Sequence, residues 1–592
     1  MKISTIAFIL ILLINFYFLI CVRLQGNNNT NWKTVIYSDG NGYYAYLNSI
    51  FITKEFAKQD AAQNYVNDTS SRPPIKYFAG TAIAFSPFFA AGYLYALFRG
   101  ENDNGYSFPF QMMIAFAGFT YLGAGLFFLN KLMDVFGVNE VAKAAVLILI
   151  TYGTNLFYYG ILEPSMSHVY SFSTITIFIY AAYWYFRKFN LANLIVASVA
   201  LGLTILIRPA NGVIICMLPF LIGNWNKLRN FFLRYSHIFL IMVIAGMFIL
   251  IQMVCWHLQS GEWYIWSYAG EGFYFSRPAI INVLLSWNKG FFIYTPLTFI
   301  SCLGFIRLYK LNRQAFYSII ITLSMALYVT AAWWCWNYGD SFGMRPMIDF
   351  YSLFGILLGV FLSGRKITAR LAAMPMAFLL ILSVVQTYQY YNRIMHRYNM
   401  DKEKYWYIFF KTNDRYKNVL AGNVDLPGYS QQSPVLIYST KNDFQDQYAG
   451  WFAPNISDDP IHSGEKSCLF NDSGGALNFT LDADSILKPG DLLYVKASLR
   501  RFEFAEHSSS AATLHASIES EKGHLFDYEF RINDLPDQNV GQWKFFNYAF
   551  NIPVPKEQFQ TLTIQILNPE RQRFLIDDFE ITVYRLFPQS LM

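Results

Sequence analysis

The chain has 592 residues, of which 54% are hydrophobic and only 14% are charged. A mean hydropathy of +0.26 excludes a typical soluble globular protein of this length. The net charge of +6 is modest, and the sequence contains no compact basic patch of the kind that binds nucleic acid. Repeated apolar runs of about 17–22 residues predict instead a polytopic α-helical membrane protein.

The first apolar run extends from Ile6 to Val22 and follows a single lysine, Lys2. No small-residue cleavage motif comes after it, so the run is predicted to be a retained signal anchor and not a removed signal peptide. Lys2 places the N-terminus in the cytoplasm, because positive charge is retained on that side. The six cysteines include no C-x-x-C spacing, so neither a disulfide framework nor a zinc site is indicated.

The outer first loop, residues 23–76, contains the sequence YSDGNGYYAYL, which begins at Tyr37. Asp39 stands in a strong turn signal, and the tyrosines that follow have the spacing of an interfacial helix. We expect this helix to hold Asp39 at the depth where a lipid-borne substrate presents its headgroup; the alternative is a plain turn. Arg72 and Lys76 are cations suited to a phosphate, or else to ordinary interfacial snorkelling.

Basic loops alternate along the chain with loops that are poor in lysine and arginine, and this alternation predicts the side of each loop. The apolar run 77–98 then cannot be an ordinary crossing, because it would invert every later loop. It is predicted to be re-entrant or to lie partly in the outer interface; the alternative is a full crossing beside one loop that breaks the charge rule. The total is about eleven to twelve spans in a cell (inner) membrane, with the N-terminus cytoplasmic and the C-terminal domain periplasmic or otherwise extracytoplasmic.

Polar residues that could carry chemistry are concentrated in the outer loops. The loop YYGILEPSMSHVYS offers Glu163 as a second carboxylate and His168 as a hydrogen-bond donor, with Pro164 predicted to open the next helix. The alternative is that Glu163 only stabilises a helix N-terminus and that His168 is merely interfacial. In FGMRPMIDF, Arg345 is suited to a lipid phosphate with Asp349 fixing its orientation, or the two form a purely structural ion pair.

The spans themselves contain almost no Asp, Glu, Lys or Arg, whereas an ion-coupled transporter usually needs ionisable groups near mid-membrane. No inverted repeat of broken helices is evident. The sequence GEG at 270–272 lies in no strand–turn–helix unit, and no Walker sequence occurs, so a nucleotide-sugar donor is unsupported. These observations favour chemistry at the outer interface over transport.

From about residue 430 the composition changes to that of a soluble β-domain. Short strand-like runs recur there between turn signals and predict an all-β antiparallel jelly roll or sandwich. The predicted domains are a transmembrane domain over 1–400, a connector over 401–430 and the β-sandwich domain over 431–592.

The signal anchor, the long outer loop with Asp39 near its start and the PP-x-x-Y segment that ends at Tyr77 resemble the GT-C superfamily over roughly residues 1–400. These are polytopic glycosyltransferases that use polyprenyl-phosphate sugars, and they include protein O-mannosyltransferases and the aminoarabinose transferases of lipid A. The resemblance implies a GT-C-like fold with Asp39 at the catalytic centre, Glu163 as the second acidic residue and Lys76 at the lipid phosphate.

The implied reaction transfers a sugar from a polyprenyl-phosphate donor to a hydroxyl group of a glycan, lipid or protein acceptor, with inversion at the anomeric carbon. Asp39 would act as general base, and a cation such as Lys76 or Arg345 would stabilise the departing phosphate. The expected catalytic residues are Asp39 and Glu163, and the expected substrate-binding residues are Lys76, Tyr77, His168, Arg345 and Arg72.

The chain departs from the family pattern at two positions. Gly40 follows Asp39, whereas the protein mannosyltransferases have an adjacent Glu. Asn41 occupies the third position of what would be a DxD motif, which puts the metal use of the oligosaccharyltransferases in doubt. No metal ligand and no cofactor are therefore predicted with these residues, although a divalent metal stays open.

In the last domain the sequence HSGEKSCLF, the W-x-x-F strand and the closing IDDFEITVY resemble carbohydrate-binding modules of the galactose-binding-like jelly-roll type over about 150 residues. Trp451 or Trp543 could stack on a sugar, with burial in the core expected for Trp543. Asp577 and Asp578 could bind calcium, with a strand-edge role favoured. The simpler interpretation of the whole domain is a spacer or lid.

Three functions of other classes stay open beside the glycosyltransferase. One is a non-catalytic membrane anchor that displays a glycan-binding module. Another is a flippase for lipid-linked glycans, which the apolar spans argue against. A third is a polyprenyl-linked glycan polymerase or ligase of another membrane fold, which the long late outer loop HLQSGEWYIWSYAGEGFYFSRP supports.

Overall fold

A computed structural model describes residues 1–56, 74–100, 104–268, 270–364, 366–430, 432–472, 475–483, 486–506, 509–521, 523–535, 540–557 and 559–587. The chain divides into two compact units. The first comprises Met1–Ala269, Phe273–Trp336 and Phe342–Thr387, and the second comprises Gly270–Gly272, Asn337–Ser341 and Tyr388–Met592.

The first unit is helical. Its α-helices, together with two that reach or lie in the second unit, are α1 (Ile3–Tyr17), α2 (Gly26–Asn29), α3 (Asp39–Leu47), α4 (Gly80–Arg99), α5 (Phe108–Val135), α6 (Glu140–Tyr152), α7 (His168–Lys188), α8 (Leu191–Ile207), α9 (Leu218–Ile222), α10 (Trp225–Phe232), α11 (Tyr235–Ser260), α12 (Ile280–Leu285), α13 (Phe291–Tyr294), α14 (Leu297–Ser301), α15 (Gly304–Leu311), α16 (Arg313–Ala332), α17 (Tyr351–Leu362), α18 (Lys366–Tyr391) and α19 (Lys402–Tyr407). Wider π-helical turns cover Phe18–Leu24, Asn48–Ile52 and Tyr158–Leu162, and 3₁₀ turns cover Asn31–Thr34, Pro209–Met217, Arg345–Phe350 and Asp414–Tyr416.

Among the described residues, seven helical segments are long and apolar enough to cross a membrane: Ile3–Leu24, Gly80–Arg99, Phe108–Val135, Tyr235–Ser260, Arg313–Ala332, Arg345–Leu362 and Leu371–Tyr391. Two shorter apolar segments are Leu191–Ile207 and Pro209–Ile222. The predicted polytopic helical membrane fold is confirmed. The predicted span at 291–306 is broken into α13, α14 and the start of α15, and the total of eleven to twelve crossings stays a prediction.

Helix α4 covers the apolar run whose crossing the charge pattern opposed. It is one continuous helix of 20 residues in spite of Pro87, and whether it crosses the membrane stays a prediction. The segments on its two sides contact almost the same place: the Tyr77 hydroxyl donates to Asp39 and the Tyr106 hydroxyl donates to Asn41. Described residues on both sides of α4 therefore contact the start of α3.

The second unit contains an antiparallel β-sandwich, as predicted. Its strands are β1 (Val435–Asn442), β2 (Trp451–Phe452), β3 (Ile456–Ser457), β4 (Ser467–Phe470), β5 (Leu477–Asp482), β6 (Leu492–Glu503), β7 (Thr513–Ser520), β8 (Gly523–Arg531), β9 (Trp543–Pro553), β10 (Thr561–Leu567) and β11 (Phe574–Leu586). One sheet has the order β3-β4-β11-β6-β9, with β1 also paired to β11, and the other has the order β2-β5-β10-β7-β8.

The sandwich core follows from alternation along the strands. In β10, Leu562, Ile564 and Ile566 are buried, whereas the residues between them are partly exposed. Successive side chains of a strand point to opposite faces of the sheet, so this pattern buries one face against the facing sheet. Both sheets contribute to one apolar core.

Candidate active site

Helix α3 begins at Asp39, as the turn signal predicted. The tyrosines that follow do not face lipid, because they are buried inside the first unit. Each hydroxyl donates to another part of that unit: Tyr43 to Ser167, Tyr44 to the carbonyl of Gly105 and Tyr46 to the carbonyl of Tyr77. The expectation of an interfacial helix that faces lipid is therefore wrong for these side chains, and α3 is instead fixed rigidly by protein contacts.

The Asp39 carboxylate has two direct partners. Its Oδ1 accepts a hydrogen bond of 2.7 Å from the Tyr77 hydroxyl, and its Oδ2 lies 2.8 Å from the Arg345 guanidinium. Burial raises the pKa of Asp39, but the charge of Arg345 and the hydrogen bond from Tyr77 outweigh burial and lower the pKa below its usual value. The lowered pKa keeps the carboxylate ionised at neutral pH, and the 26% exposure of the side chain leaves it accessible.

Gly40 explains one departure from the family pattern. A Cβ atom at this position would lie 2.1 Å from Ser165 Oγ, which is far inside van der Waals contact. The loop that contains Glu163 and Ser165 therefore packs directly against the start of α3. An adjacent glutamate, as in the protein mannosyltransferases, does not fit beside Asp39 in this chain.

Arg345 lies at the start of a 3₁₀ turn and is 9% exposed. One of its terminal nitrogens contacts Asp39, and the other lies 3.8 Å from the sulfur of Met166. Its Nε is buried and has no hydrogen-bond partner among the described residues. A buried N–H without a partner costs free energy, so part of the hydrogen-bonding capacity of this guanidinium is unused among the described residues.

Asp349 does not pair with Arg345, in contrast to the expected Arg345–Asp349 contact. It is fully buried and instead holds three donors from other elements: His168 Nδ1 at 2.9 Å, Arg208 at 3.3 Å and the Asn211 amide at 2.8 Å. His168 Nδ1 also lies 3.0 Å from the Arg208 guanidinium, so one ring nitrogen faces both members of the Asp349–Arg208 pair, and Nε2 is the other nitrogen of the ring. Asp349 thus orients His168 and Arg208, not Arg345.

Arg208 and Asn211 were not identified as site residues from the sequence. The available signal was the segment IRPAN, where a single arginine precedes a proline at the end of a long apolar run. Helix α8 ends at Ile207, and the 3₁₀ turn Pro209–Met217 follows. This break places Arg208 and Asn211 at one end of α8, next to His168 at the start of α7.

The other predicted residues have more peripheral positions. The Lys76 ammonium lies 5.8 Å from the ring centroid of Tyr77 and 5.3 Å from that of Tyr268. Glu163 accepts a hydrogen bond of 2.8 Å from the Tyr158 hydroxyl. Helix α7 begins at His168 and not at Pro164, because the chain makes a separate turn after the π-helical segment Tyr158–Leu162. Arg72 lies outside the described residues.

An apolar groove lies beside this site. Its cavity volume is about 520 Å³, and its lining includes Ile50 beyond α3, Leu250, Val254 and Leu258 of α11, and Lys54. Helix α11 also contacts the segment that contains Lys76 and Tyr77. The Gln252 and Gln259 side chains of α11 accept hydrogen bonds from the backbone of Ala79 and Ile75.

In the sandwich, Trp543 is half-buried between His462 and Phe502, which corrects the expectation that it is a core residue. Trp451 packs on Phe479 and Phe579 at the sandwich core.

A separate cluster in the sandwich consists of His462, Asp577 and Asp578, whose ligand atoms lie within 4.8 Å of one another. Asp578 already has a cation, since Lys441 Nζ lies 2.6 Å away. Its pKa is lowered because the hydrogen bonds from Lys441 and His462 outweigh burial. This pairing favours a structural ion pair over a calcium site.

The two units thus define a class: a polytopic helical membrane protein with a C-terminal β-sandwich and a carboxylate–guanidinium site in its helical unit. No protein-family model matches the chain, and a search of curated proteins finds no match.

Solved structures give matches to each part. Over 95% of its length the chain is similar to arabinosyltransferase EmbB from Mycobacterium smegmatis, with 10% identity, a TM-score of 0.35 and 64% of that chain covered. It is also similar to the CBM22-1 xylan-binding domain of Paenibacillus barcinonensis Xyn10C, with 15% identity, a TM-score of 0.19, 27% of this chain covered and 100% of that chain covered. A xylan-binding domain from CBM 22 matches with 14% identity, a TM-score of 0.18, 26% of this chain covered and 96% of that chain covered. Both resemblances stated from the sequence have a counterpart here, but similarities at these TM-scores assign no activity to the chain.

Proposed function

We propose that the protein is a membrane glycosyltransferase that moves a sugar from a polyprenyl-phosphate donor to an acceptor hydroxyl on the outer face of the membrane. One observation carries the proposal: the ionised carboxylate of Asp39 contacts Arg345, whose buried Nε has no partner among the described residues. A base for the acceptor and a cation for the leaving phosphate therefore meet at one point. Both groups are required by a displacement at an anomeric carbon.

The proposed step is a single displacement. The acceptor oxygen attacks the anomeric carbon, its proton passes to Asp39, and the bond from the anomeric carbon to the phosphate oxygen breaks. The electron pair leaves with the polyprenyl phosphate, where Arg345 and Lys76 stabilise the added negative charge. Attack from the face opposite the leaving group inverts the anomeric centre.

The lowered pKa of Asp39 fits a late proton transfer. A weak carboxylate base stays ionised at neutral pH, and the acceptor hydroxyl becomes acidic only as its oxygen bonds to carbon. The Tyr77 hydroxyl fixes one carboxylate oxygen, so the other oxygen is shared between Arg345 and the acceptor.

The groove beside α11 supports a lipid-borne donor. Its aliphatic lining is suited to an isoprenoid chain, and Lys54 belongs to the same lining. Helix α11 lines the groove on one surface and binds the Lys76–Tyr77 segment through Gln252 and Gln259. A lipid in the groove would therefore have its headgroup near the segment that reaches Asp39.

We assign positioning roles to the two remaining residues. His168, held at Nδ1 by Asp349, is oriented to donate or accept at Nε2 toward the substrate. Glu163, in the loop packed on Gly40, is the second carboxylate of the site. The cation next to Asp39 is a guanidinium, so the proposed reaction uses no divalent metal.

The test is transfer or release of labelled sugar from polyprenyl-phosphate hexoses and pentoses by the purified full chain in lipid nanodiscs. Asp39→Asn keeps the size of the side chain but removes the charge, so it should abolish turnover. Asp134→Asn is the matched control, because Asp134 forms an ion pair with Lys143 and contacts no predicted site residue. Equal turnover by wild type and Asp39→Asn would refute the role of Asp39, and no turnover of any donor by wild type would refute the proposed activity.

A further inference from the structure

Aromatic residues are concentrated in the segment that follows α11. Trp263, Tyr264 and Phe275 are 50%, 74% and 49% exposed. Large aromatic side chains usually bury most of their surface, so three half-exposed rings within one short segment form an unusual surface. We call Trp263, Tyr264, Trp266 and Phe275 the aromatic surface.

Two of these rings are built as flat platforms. Trp263 is stacked on His257 with ring centroids 4.2 Å apart and an interplanar angle of 3°. His257 is itself held by a hydrogen bond of 2.8 Å between its Nδ1 and the carbonyl of Gly261. Phe275 is stacked on Phe273 at 5.2 Å and 9°. Trp263 has one ring face covered by His257 and is half-exposed, whereas Phe275 also stacks on Tyr328, with ring centroids 5.9 Å apart and an interplanar angle of 25°.

Ring contacts connect the aromatic surface to Asp39. The Tyr77 hydroxyl binds Asp39, and the Tyr77 ring contacts the Tyr268 ring at 6.1 Å. Tyr268 then contacts Trp266 at 5.9 Å on one side and Trp333 at 5.6 Å on another.

The branch through Trp333 continues outward. Trp333 contacts Phe273 at 4.8 Å, and Phe273 is the covered partner of the Phe275 platform. One series of rings thus runs from the base of the proposed reaction to Phe275. A second runs from Tyr268 through Phe78 and Trp256 to Tyr264, which is the chain neighbour of Trp263.

We propose that this aromatic surface binds the acceptor, and that the acceptor is an oligosaccharide or polysaccharide chain. The proposal rests on the glycosyltransferase function proposed above and narrows its acceptor. A pyranose ring presents a face of C–H groups that packs on an open aromatic face, while its hydroxyls stay in water. A chain of such rings that lies along the series would bring its terminal hydroxyl to Asp39.

The chemistry of the surface separates a glycan from the other acceptor classes. An acyl or isoprenoid chain is served by the aliphatic groove beside α11, whose lining differs from these rings. Tyrosine and tryptophan also occur as belts at membrane interfaces, and membrane binding is therefore the competing outcome of the test.

The test measures binding and transfer separately, on the full chain in nanodiscs. The probes are linear oligosaccharides of xylose, arabinose, glucose and mannose with one, two, four and six units, and saturation-transfer NMR gives their dissociation constants. Trp263→Ala should weaken binding of the best hexasaccharide about tenfold, since one stacked ring is lost, and should leave the monosaccharide unchanged. Trp263→Phe should restore most of the affinity. Trp225→Ala is the control, because Trp225 is 83% exposed on α10 and outside the aromatic surface.

Donor hydrolysis by water in the absence of acceptor should be unchanged in Trp263→Ala. No binding of any hexasaccharide by the wild type at millimolar concentration would overturn the proposal. So would a Trp263→Ala variant that binds the hexasaccharides as tightly as the wild type, an outcome that would leave contact with the membrane as the role of these rings. If the wild type binds hexasaccharides through Trp263 but neither hydrolyses nor transfers any donor, the glycan site stands and the proposed transferase activity fails.

Discussion

Arg345 and Asp39 are in direct contact, with 2.8 Å between a guanidinium nitrogen and Oδ2, although most of the helical unit separates them along the chain. Arg345 has five N–H donors in a planar fork, and only part of that fork is used by Asp39. The buried Nε has no partner among the described residues. The proposed function assigns the unused part of this fork to the leaving phosphate.

Arg345→Gln is expected to lower kcat/KM for a polyprenyl-phosphate sugar about a hundredfold or more, because an oriented cation at the leaving phosphate is lost. Arg345→Lys should recover only part of this loss, since an ammonium does not reproduce the fork. The assay is sugar release under single-turnover conditions. Arg187→Gln serves as the control, because Arg187 is a partly buried arginine that binds the carbonyl of Leu221 away from the site. An Arg345→Gln variant with wild-type kcat/KM would contradict the assignment.

Tyr77→Phe is expected to shift the acid limb of the pH profile of kcat/KM to higher pH. The hydrogen bond from Tyr77 lowers the pKa of Asp39, so its removal raises that pKa and the carboxylate protonates sooner as pH falls. The proposed base works only when ionised, so activity is lost at a higher pH than in the wild type. Tyr44 is on α3, as Asp39 is, and its buried hydroxyl donates to the carbonyl of Gly105. Tyr44→Phe removes that hydroxyl, and the acid limb of its pH profile should not move. A shift of the same size in both variants would show that the effect is not specific to Asp39.

Local features of the site could be predicted from the sequence. Asp39 begins a helix because Asp-Gly-Asn-Gly precedes residues with helical spacing, and β10 is a strand because Leu562, Ile564 and Ile566 alternate with polar residues. Both patterns depend on neighbours along the chain. The break of the span at 291–306 also had a local signal, Pro296, which the apolar composition outweighed in the prediction.

Pairings between distant elements could not be predicted in this way. Arg345 was expected beside Asp349, four residues away, because spacing reveals only neighbours on one helix. In the structure Arg345 contacts Asp39, whereas Asp349 accepts hydrogen bonds from other elements: His168, Arg208 and Asn211. Nothing in hydropathy or charge order specifies which end of α8 packs against α7, so Arg208 could be placed on a side of the membrane but not in the site.

Chelation of divalent metals is expected to leave transfer unchanged. Arg345 balances the negative charge of Asp39, so this carboxylate does not need a metal ion. In the proposed reaction the same guanidinium stabilises the charge of the leaving phosphate. The measurement is the rate of sugar release after extensive dialysis against EDTA, compared with the same sample after addition of Mg²⁺, Mn²⁺ or Ca²⁺. Loss of activity on dialysis and its recovery with one of these ions would show that the donor is bound through a metal.

Asp349→Ala is expected to destabilise the helical unit by about 3–5 kcal/mol, because a fully buried carboxylate is removed while buried His168 and partly buried Arg208 lose it as an acceptor. The thermal unfolding midpoint in detergent, followed by tryptophan fluorescence, should fall by several degrees. Asp134→Ala removes a carboxylate that is 47% exposed, and its effect should be below about 1 kcal/mol. Equal midpoints for the two variants would show that the Asp349 network contributes little to folding.

A bulky residue in the groove beside α11 should discriminate between donors by lipid length. Ile251 lines the groove, so Ile251→Trp fills space that the proposal gives to the isoprenoid chain. KM for a full-length polyprenyl donor should rise about tenfold, which corresponds to the binding free energy of about two buried methylene groups. KM for a donor with two isoprene units should stay the same. Met247→Trp places the same side chain on a half-exposed position of α11 outside the groove lining and is the control. An equal rise for long and short donors would indicate a distorted site instead of a blocked chain, and no rise for either would place the isoprenoid elsewhere on the protein.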